Sequence, residues 1–132
     1  MYALDTNTVI YFFKDMGNVA SHLFSVPPHE IALPSVVLYE LQVGIAKSSS
    51  PEKRSSQLDE LLTVVRVLTF SEHETAITAR IRAALEKAGT PIGPLHIMIA
   101  GIALAHQATL VTHNTKEFSR IDGLRLEDWF DS

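Results

Sequence analysis

The 132-residue sequence contains no cysteine, and its apolar runs are all shorter than the roughly 20 residues that a membrane-crossing helix requires. The missing cysteine excludes disulfides and thiolate-ligated metals, and it is compatible with a reducing compartment. The N-terminus begins on a strand-like segment and lacks the basic region of a signal peptide. We therefore expect a cytoplasmic protein that makes no membrane contact.

Positive charge is also scarce. Eleven lysine and arginine residues face 15 aspartate and glutamate residues, which gives a formal net charge of −4. General attraction to nucleic acid is thus not built into the chain, and any such binding must use a local basic patch. A glycine-rich phosphate loop, a Gly-x-Ser-x-Gly elbow and a His-x-x-x-His pair are all absent, so the common phosphate-loop, acyl-transfer and zinc signatures are excluded.

Short apolar segments alternate with helical patterns along the whole chain. The strand-like segments are residues 2–4, 31–33, 66–69, 109–112 and 124–127. Apolar residues at helical spacing occupy the stretches between them, including a helix from Pro94 to about Gln107 and another that Ser71 and Glu74 open as a capping box. This alternation predicts one α/β domain over residues 1–132, with a mainly parallel central sheet flanked by helices.

Polar side chains follow several of the predicted strands. Asp5 comes directly after the first strand, Glu40 lies in the helix after the second, and Asn114 follows the strand at 109–112. His96 opens a later helix. Because ligands of open parallel sheets bind beyond the carboxyl ends of the strands, we expect these four side chains to face one end of the sheet.

Each of these acids and amides also has a purely structural interpretation. Asp5 is a good helix cap as well as a possible cation ligand. Glu40 borders an apolar stripe, so it either reaches water, pairs with a basic side chain or binds a cation. Asn114 and Glu117 have the spacing of a capping box, and they could instead supply an oxygen ligand or orient a ligated water.

His96 stands at the third position of its helix if Gly93 is the cap and Pro94 the first residue. That position faces the positive end of the helix dipole and usually suits a carboxylate. A single histidine there has three interpretations: a surface residue, a hydrogen-bonded core residue or a metal ligand.

Carboxylates beyond the ends of different strands are typical of a hard oxygen-ligand site for Mg²⁺ or Mn²⁺. Such a site activates water and stabilises a phosphate during phosphodiester cleavage. Thr6 or Asn7, next to Asp5, could orient the ligands.

The sequence resembles the PIN-domain ribonucleases of the VapC type, the toxins of bacterial toxin–antitoxin pairs, over its whole length. The segments that carry the resemblance are LDTN at residues 4–7, YELQVG at 39–44, GTPIGPL at 89–95, THNTKEF at 112–118 and GLRLEDW at 123–129. The resemblance implies a PIN-like fold with a parallel sheet between helices. It also implies metal-dependent endoribonuclease activity on structured RNA, often tRNA, a homodimer, and a cognate VapB-type antitoxin that blocks the site.

The resemblance also assigns residues. Asp5 and Glu40 match two metal-binding acids of the family, Asn114 stands where many relatives have a fourth acid, and Glu117 is a nearby substitute. His96 departs from the pattern, because the family has an aspartate there. We therefore expect Asp5, Glu40, His96 and Glu117 to form an altered site for one Mg²⁺ ion, with Mn²⁺ as the alternative ion, and Asn114 to support catalysis.

The histidine keeps two readings of function open. Imidazole is a poor ligand for Mg²⁺, so His96 predicts reduced or absent catalysis by an otherwise intact nuclease fold. The alternative is a non-catalytic variant or binding module that retains antitoxin binding and dimerisation. A third interpretation is an unrelated phosphotransfer or hydrolase domain that uses Asp5. Such a domain would have a second aspartate close to Asp5, and the segment Asp5-Thr6-Asn7 has none.

Overall fold

The computed structural model describes residues 1–131, in which strands and helices alternate as predicted. The strands are β1 (Tyr2–Leu4), β2 (Ile31–Pro34), β3 (Arg66–Leu68), β4 (Thr109–Val111) and β5 (Leu126–Glu127). The helices are α1 (Thr6–Phe13), α2 (Val19–Ser25), α3 (Ser35–Lys47), α4 (Pro51–Leu62), α5 (Glu72–Lys87), α6 (Pro94–Ala105) and α7 (Thr115–Phe118), and one 3₁₀ turn spans Pro28–Glu30. None of the helices within 1–131 is both long and apolar enough to cross a membrane.

The five strands form one parallel sheet in the order β3-β2-β1-β4-β5. This confirms the predicted α/β fold with a parallel central sheet. Strand β1 is central, and Tyr2 pairs with Ile31 of β2 on one side and with Thr109 of β4 on the other. The chain builds outward from β1 through β2 and β3, then returns to the opposite side. The strand order therefore reverses at β1 and β4, which is where ligands bind in sheets of this kind.

Helix α6 lies at the centre of the packing. It is apolar on nearly every side. Ile97 and all five residues from Ile99 to Ala103 are buried. It packs between the sheet and α5. A helix that is apolar all round must be enclosed, because each exposed leucine or isoleucine would forgo about 1.5–3 kcal/mol of burial.

The crossing of α5 and α6 is unusually close at one point. A Cβ atom at Gly101 would lie 1.8 Å from Thr78 Oγ1 and 2.8 Å from Thr78 Cβ. The Thr78 hydroxyl is buried there without a hydrogen-bond partner among residues 1–131. Only glycine at position 101 permits this approach of the two helices.

Some element ends differ from the sequence prediction. Helix α6 ends at Ala105 rather than near Gln107, because Gln107 adopts a left-handed φ of 54° that a continuing helix does not allow. Strand β5 contains only Leu126–Glu127 of the predicted segment 124–127. These shifts leave the polar residues at the strand ends where they were expected.

The predicted capping box at the start of α5 is present and is linked to α6. Glu74 is buried, and its Oε1 accepts hydrogen bonds from the Ser71 amide at 2.8 Å and from the Ser71 hydroxyl. Its Oε2 lies 3.2 Å from His106 Nε2, just past the end of α6. The hydrogen bonds from Ser71 lower the pKa of Glu74 from 4.5 to about 2.

We expect Glu74 to make stability sensitive to acid. Because the pKa of Glu74 is lower in the folded chain, the unfolded chain takes up a proton first as the pH falls. The stabilisation by Glu74 is therefore complete above pH 4.5 and disappears as the pH falls towards 2. Urea denaturation of the wild type and Glu74→Gln from neutral to acid pH should give free energies of unfolding that differ most at neutral pH, by about 3 kcal/mol, and converge in acid. Glu72→Gln, an exposed change in the same turn, is the control. Parallel curves for the wild type and Glu74→Gln would contradict the assignment.

Candidate active site

Asp5 is the centre of the site, at the carboxyl end of β1. Its amide donates to the Val111 carbonyl of β4 at 3.1 Å, and its Oδ1 accepts the Thr8 amide at 2.9 Å. The capping interpretation is therefore confirmed, but capping is not the whole role of the side chain. Asp5 is only 6% exposed, and burial raises the pKa of its carboxyl group although hydrogen bonds from Thr112 and Thr8 oppose that rise. A buried carboxyl group of this kind gains most from a cation placed against it.

Glu40 is held beside Asp5 by Thr6, the first residue of α1. The Thr6 hydroxyl donates to Glu40 Oε1 at 2.6 Å, across the gap between α1 and α3. Glu40 is half-buried, and none of the ion pairs formed within residues 1–131 includes it. The interpretation of Glu40 as one half of a salt bridge is thus wrong. Its second oxygen has no hydrogen-bond partner within that range.

His96 occupies the third position of α6 behind Gly93, as predicted, and pairs with Glu117 of α7. Nδ1 of His96 lies 2.6 Å from Glu117 Oε1, and the ring packs against Phe118 with 5.4 Å between centroids. The imidazole is close enough to Asp5 to act against the rise in the pKa of that carboxyl. The hydrogen bond from His96 in turn lowers the pKa of Glu117.

Asn114 and Glu117 do not form the capping box that their spacing suggested. The Asn114 side chain makes no capping bond to α7, and Glu117 turns to His96 instead. The Asn114 amide donates to Thr112 Oγ1 at 2.9 Å, and the hydroxyl of Thr112 also bonds the Asp5 carboxylate. A hydrogen bond from the Asn114 side chain also contributes to the lowered pKa of Glu117.

All five predicted site residues therefore belong to one hydrogen-bonded and electrostatic neighbourhood. Asp5 is at its centre; Thr6 connects it to Glu40, and Thr112 connects it to Asn114. Sequence reasoning named Thr6 but missed the structural role of Thr112. A threonine directly after a buried strand, at the same sheet edge as Asp5, is the signal that could have identified it.

A second titratable cluster lies beside this site. It consists of His113, Asp128 and Asp131, whose potential ligand atoms all lie within 4.8 Å of one another. His113 Nδ1 is 2.9 Å from Asp128 Oδ2, and this contact raises the pKa of His113. His113 stands between Thr112 and Asn114 in the chain, so the cluster ties the C-terminal segment to the edge of the main site.

A groove opens between α1 and α3, one helical turn beyond the Thr6–Glu40 contact. It has a volume of about 290 Å³ and a mostly apolar lining that includes Ile10 and Leu41. Two cationic side chains, Lys14 and Arg54, also line it. The chain is acidic overall, so these two cations at a mostly apolar groove are a local source of positive charge for a phosphate.

Comparison with known proteins agrees with this geometry. The PIN domain family matches residues 2–124. The chain is 36% identical to the tRNA(fMet)-specific endonuclease VapC of Salmonella typhimurium, covering 97% of each chain, and 40% identical to ribonuclease VapC2 of Rickettsia felis, covering 98% of each. The crystal structure of VapBC2 from Rickettsia felis, bound to a promoter DNA fragment, superimposes with a TM-score of 0.90 at 39% identity, covering 97% of this chain and 98% of that one.

A parallel sheet with acidic residues at its switch point, together with the match over residues 2–124, defines a PIN domain. The chain belongs to the PIN-domain family, and within it to the ribonucleases of the VapC type. The predicted resemblance is thus confirmed.

The residues present suit a divalent cation. Asp5 is a buried carboxylate without a cationic partner in hydrogen-bond contact, and Glu40 keeps one oxygen free of hydrogen bonds within residues 1–131. The third candidate ligand, His96, supplies an imidazole, and the Glu117 carboxylate is already hydrogen-bonded to that ring. The donor set is therefore mixed oxygen and nitrogen, which is less suited to Mg²⁺ than an all-oxygen set.

Proposed function

We propose that this chain is the toxin of a VapBC-type toxin–antitoxin pair, an endoribonuclease that cleaves structured RNA with the aid of a divalent cation. The observation that carries the proposal is the buried Asp5 carboxyl at the switch point, with Glu40 held beside it by Thr6. tRNA is the proposed substrate, because the Salmonella typhimurium relative at 36% identity is named for tRNA(fMet).

Asp5 and Glu40 would hold the cation, which is Mg²⁺ or Mn²⁺ in the simplest form of the proposal. When bound, such an ion supplies an activated water and neutralises charge on the scissile phosphate. The chain itself fixes the two carboxylates. The Thr8 amide and Thr112 hydroxyl hold Asp5 in one orientation, and the Thr6 hydroxyl fixes one oxygen of Glu40. Asn114, exposed next to this network, is placed to hydrogen-bond a ligated water or the RNA.

Lys14 and Arg54 are the proposed phosphate contacts on the RNA. Both are basic side chains, and they line the groove that begins one turn away from Glu40. Flanking phosphates bound there would position a scissile bond at the carboxylates, since phosphate contacts fix register while leaving sequence unread.

The proposed partners are a cognate VapB-type antitoxin and a second copy of this chain. Two similar solved structures, from Rickettsia felis and Salmonella typhimurium, are DNA-bound VapBC complexes. Exposed apolar side chains suitable for such contacts include Phe24 on α2 and Tyr39 on α3, which are 76% and 56% exposed. A cytoplasmic location belongs to the same proposal, because cellular RNA is the substrate.

His96 is proposed to reduce Mg²⁺-dependent cleavage by this chain. It substitutes a neutral nitrogen donor for the carboxylate that the family pattern places at the start of α6. The alternative function, a non-catalytic toxin variant that still binds antitoxin and dimerises, rests on the same observation. The hydrogen bond between His96 and Glu117 favours this alternative, because it engages a carboxylate that could otherwise have been an oxygen ligand.

The test is cleavage of a purified tRNA pool, with Mg²⁺ or Mn²⁺, by the wild type, His96→Asp, and each of these with Glu40→Gln. We expect His96→Asp to cut faster than the wild type with Mg²⁺, by about tenfold or more, and Glu40→Gln to abolish cutting in both backgrounds. Equal rates for the wild type and His96→Asp would contradict the impairment. Failure of every variant to cut tRNA, while all bind the antitoxin, would overturn the nuclease proposal in favour of the binding module.

A further inference from the structure

The His96–Glu117 contact has the geometry of a metal-ligating histidine held by a carboxylate. His96 Nδ1 lies 2.6 Å from Glu117 Oε1. Because an ionised carboxylate can only accept hydrogen bonds, Nδ1 is the nitrogen that carries the proton in this pair. In the neutral ring, the lone pair of the other nitrogen, Nε2, is then available to a metal ion. Histidine ligands of metal sites characteristically donate their second ring nitrogen to a carboxylate in this way.

The ring is also fixed on a second side. Phe118, the residue after Glu117, packs against it with ring centroids 5.4 Å apart and is itself fully buried. No hydrogen bond within residues 1–131 engages Nε2. The side chain remains partly open to solvent, with 42% of its surface exposed, so an ion can approach it.

We propose that His96 is a nitrogen ligand through Nε2, that Glu117 is its positioning residue rather than a ligand, and that the site therefore selects a divalent transition-metal ion over Mg²⁺. The proposal rests on the proposed function only in placing the cation at Asp5 and Glu40. An imidazole suits Zn²⁺, Ni²⁺ and Cu²⁺, whereas Mg²⁺ and Mn²⁺ are better suited to oxygen ligands, and Mg²⁺ keeps much of its water. An aspartate at position 96 would favour Mg²⁺, so the histidine there and its partner Glu117 on α7 determine which cation the site prefers.

Metal binding is measured on the whole chain, without RNA, by calorimetric titration with Mg²⁺, Mn²⁺, Ni²⁺ and Zn²⁺. We expect Ni²⁺ and Zn²⁺ to bind the wild type much more tightly than Mg²⁺. His96→Asp should weaken Ni²⁺ and Zn²⁺ binding by about tenfold or more and strengthen Mg²⁺ binding. A wild type that binds Mg²⁺ as tightly as His96→Asp does would overturn the proposal.

Glu117 is tested by the pair Glu117→Leu and Glu117→Gln. Leucine removes the acceptor at similar size, so Zn²⁺ affinity should fall by about 10- to 100-fold, while glutamine keeps an acceptor oxygen and should restore most of it. The same Glu117→Leu change in the His96→Asp background should leave Zn²⁺ affinity unaltered, since no imidazole remains to be oriented. A comparable loss in that background would show that Glu117 binds the metal directly and would overturn its positioning role.

Two controls separate this site from other histidines. His29→Asp, at a side chain 79% exposed, removes a surface histidine and should change no affinity. Asp131→Asn removes an exposed member of the neighbouring His113 cluster. If Asp131→Asn still binds Zn²⁺ tightly, the assignment to His96 is supported. If Asp131→Asn loses tight Zn²⁺ binding and His96→Asp keeps it, the assignment to His96 is overturned.

A direct readout is the ¹⁵N NMR signal of the imidazole on titration with diamagnetic Zn²⁺. Nε2 of His96 should shift on binding while Nδ1 keeps its proton, and a shift confined to other histidines would contradict the proposal. These measurements contain no cleavage step. Selective Zn²⁺ binding without any RNA cleavage would therefore overturn the proposed function and leave the metal preference standing, whereas RNA cleavage with no preference among cations would do the reverse.

Discussion

Replacing Gly101 with alanine is expected to destabilise the fold by about 3 kcal/mol, which lowers Tm by roughly 10 °C. The new methyl group would lie 1.8 Å from Thr78 Oγ1, 2.8 Å from Thr78 Cβ and 3.2 Å from Thr78 Cα. The last two atoms belong to the stem of the side chain and to the backbone, so the clash cannot be relieved by a rotamer change alone. Helices α5 and α6 must move apart, and the buried face of α6 then loses part of its packing against α5. Thermal and urea denaturation measure the effect.

Gly44 provides the matched control for this prediction. It is also a helix-interior glycine, on α3, but a Cβ atom there meets nothing within 4 Å. Gly44→Ala should therefore stabilise the chain by about 0.4–1 kcal/mol, because alanine is the better helix former. A second variant locates the clash: Thr78→Ala in the Gly101→Ala chain should recover most, though not all, of the loss, since the Thr78 Cβ remains. Equal effects of alanine at Gly101 and at Gly44 would contradict the close crossing.

Asp5→Asn is expected to separate stability from activity. Asparagine can still accept the Thr8 amide as the cap of α1, so the helix start is preserved. It also removes a carboxyl group whose pKa is raised by burial, so the metal-free fold should be at least as stable as the wild type at neutral pH. The site, in contrast, loses its central charge. Cation affinity and any cleavage should fall by at least about a hundredfold, which is the upper range for loss of a ligand's supporting residue alone.

The two measurements for Asp5→Asn are denaturation without metal and calorimetric titration with metal. Thr8→Ser is the control, because it leaves the Asp5 carboxylate and the amide that donates to it unchanged. A large loss of stability in Asp5→Asn, with cation binding intact, would mean that the negative charge of Asp5 serves the fold rather than a ligand.

Most of the fold could be predicted because its signals are local. Alternating apolar segments, the capping box at Ser71 and the breaks at proline and glycine are properties of neighbouring residues, and they placed the strands to within a few positions. The acids at the strand ends followed from the rule that parallel strands present their carboxyl ends at one edge. His96 was recognised as unusual because a helix start disfavours it.

The remainder of the site depends on contacts between elements far apart in the chain. The spacing of Asn114 and Glu117 predicted a local cap, yet Glu117 binds His96, 21 positions earlier, because α7 packs against the start of α6. The hydroxyl of Thr112 bonds Asp5 because β1 and β4 are adjacent, which the sequence order does not reveal. The close crossing at Gly101 likewise needs the position of Thr78 on another helix. Local patterns determine elements, and only packing determines which polar groups meet.

The central position of β1 has a consequence for the order in which the protein is made. Tyr2–Leu4 is synthesised long before Thr109–Val111, so one of its two edges stays unpaired until the later strand has left the ribosome. Strand pairing between such distant segments is slow to form and cannot precede synthesis of the later one. Asp5 and Glu40 are therefore translated long before Thr112 and Asn114, which complete the hydrogen-bonded site at the end of β4. A growing chain therefore carries no formed site, and the carboxylates of Asp5 and Glu40 join the rest of the site only after β4 has been added to the sheet.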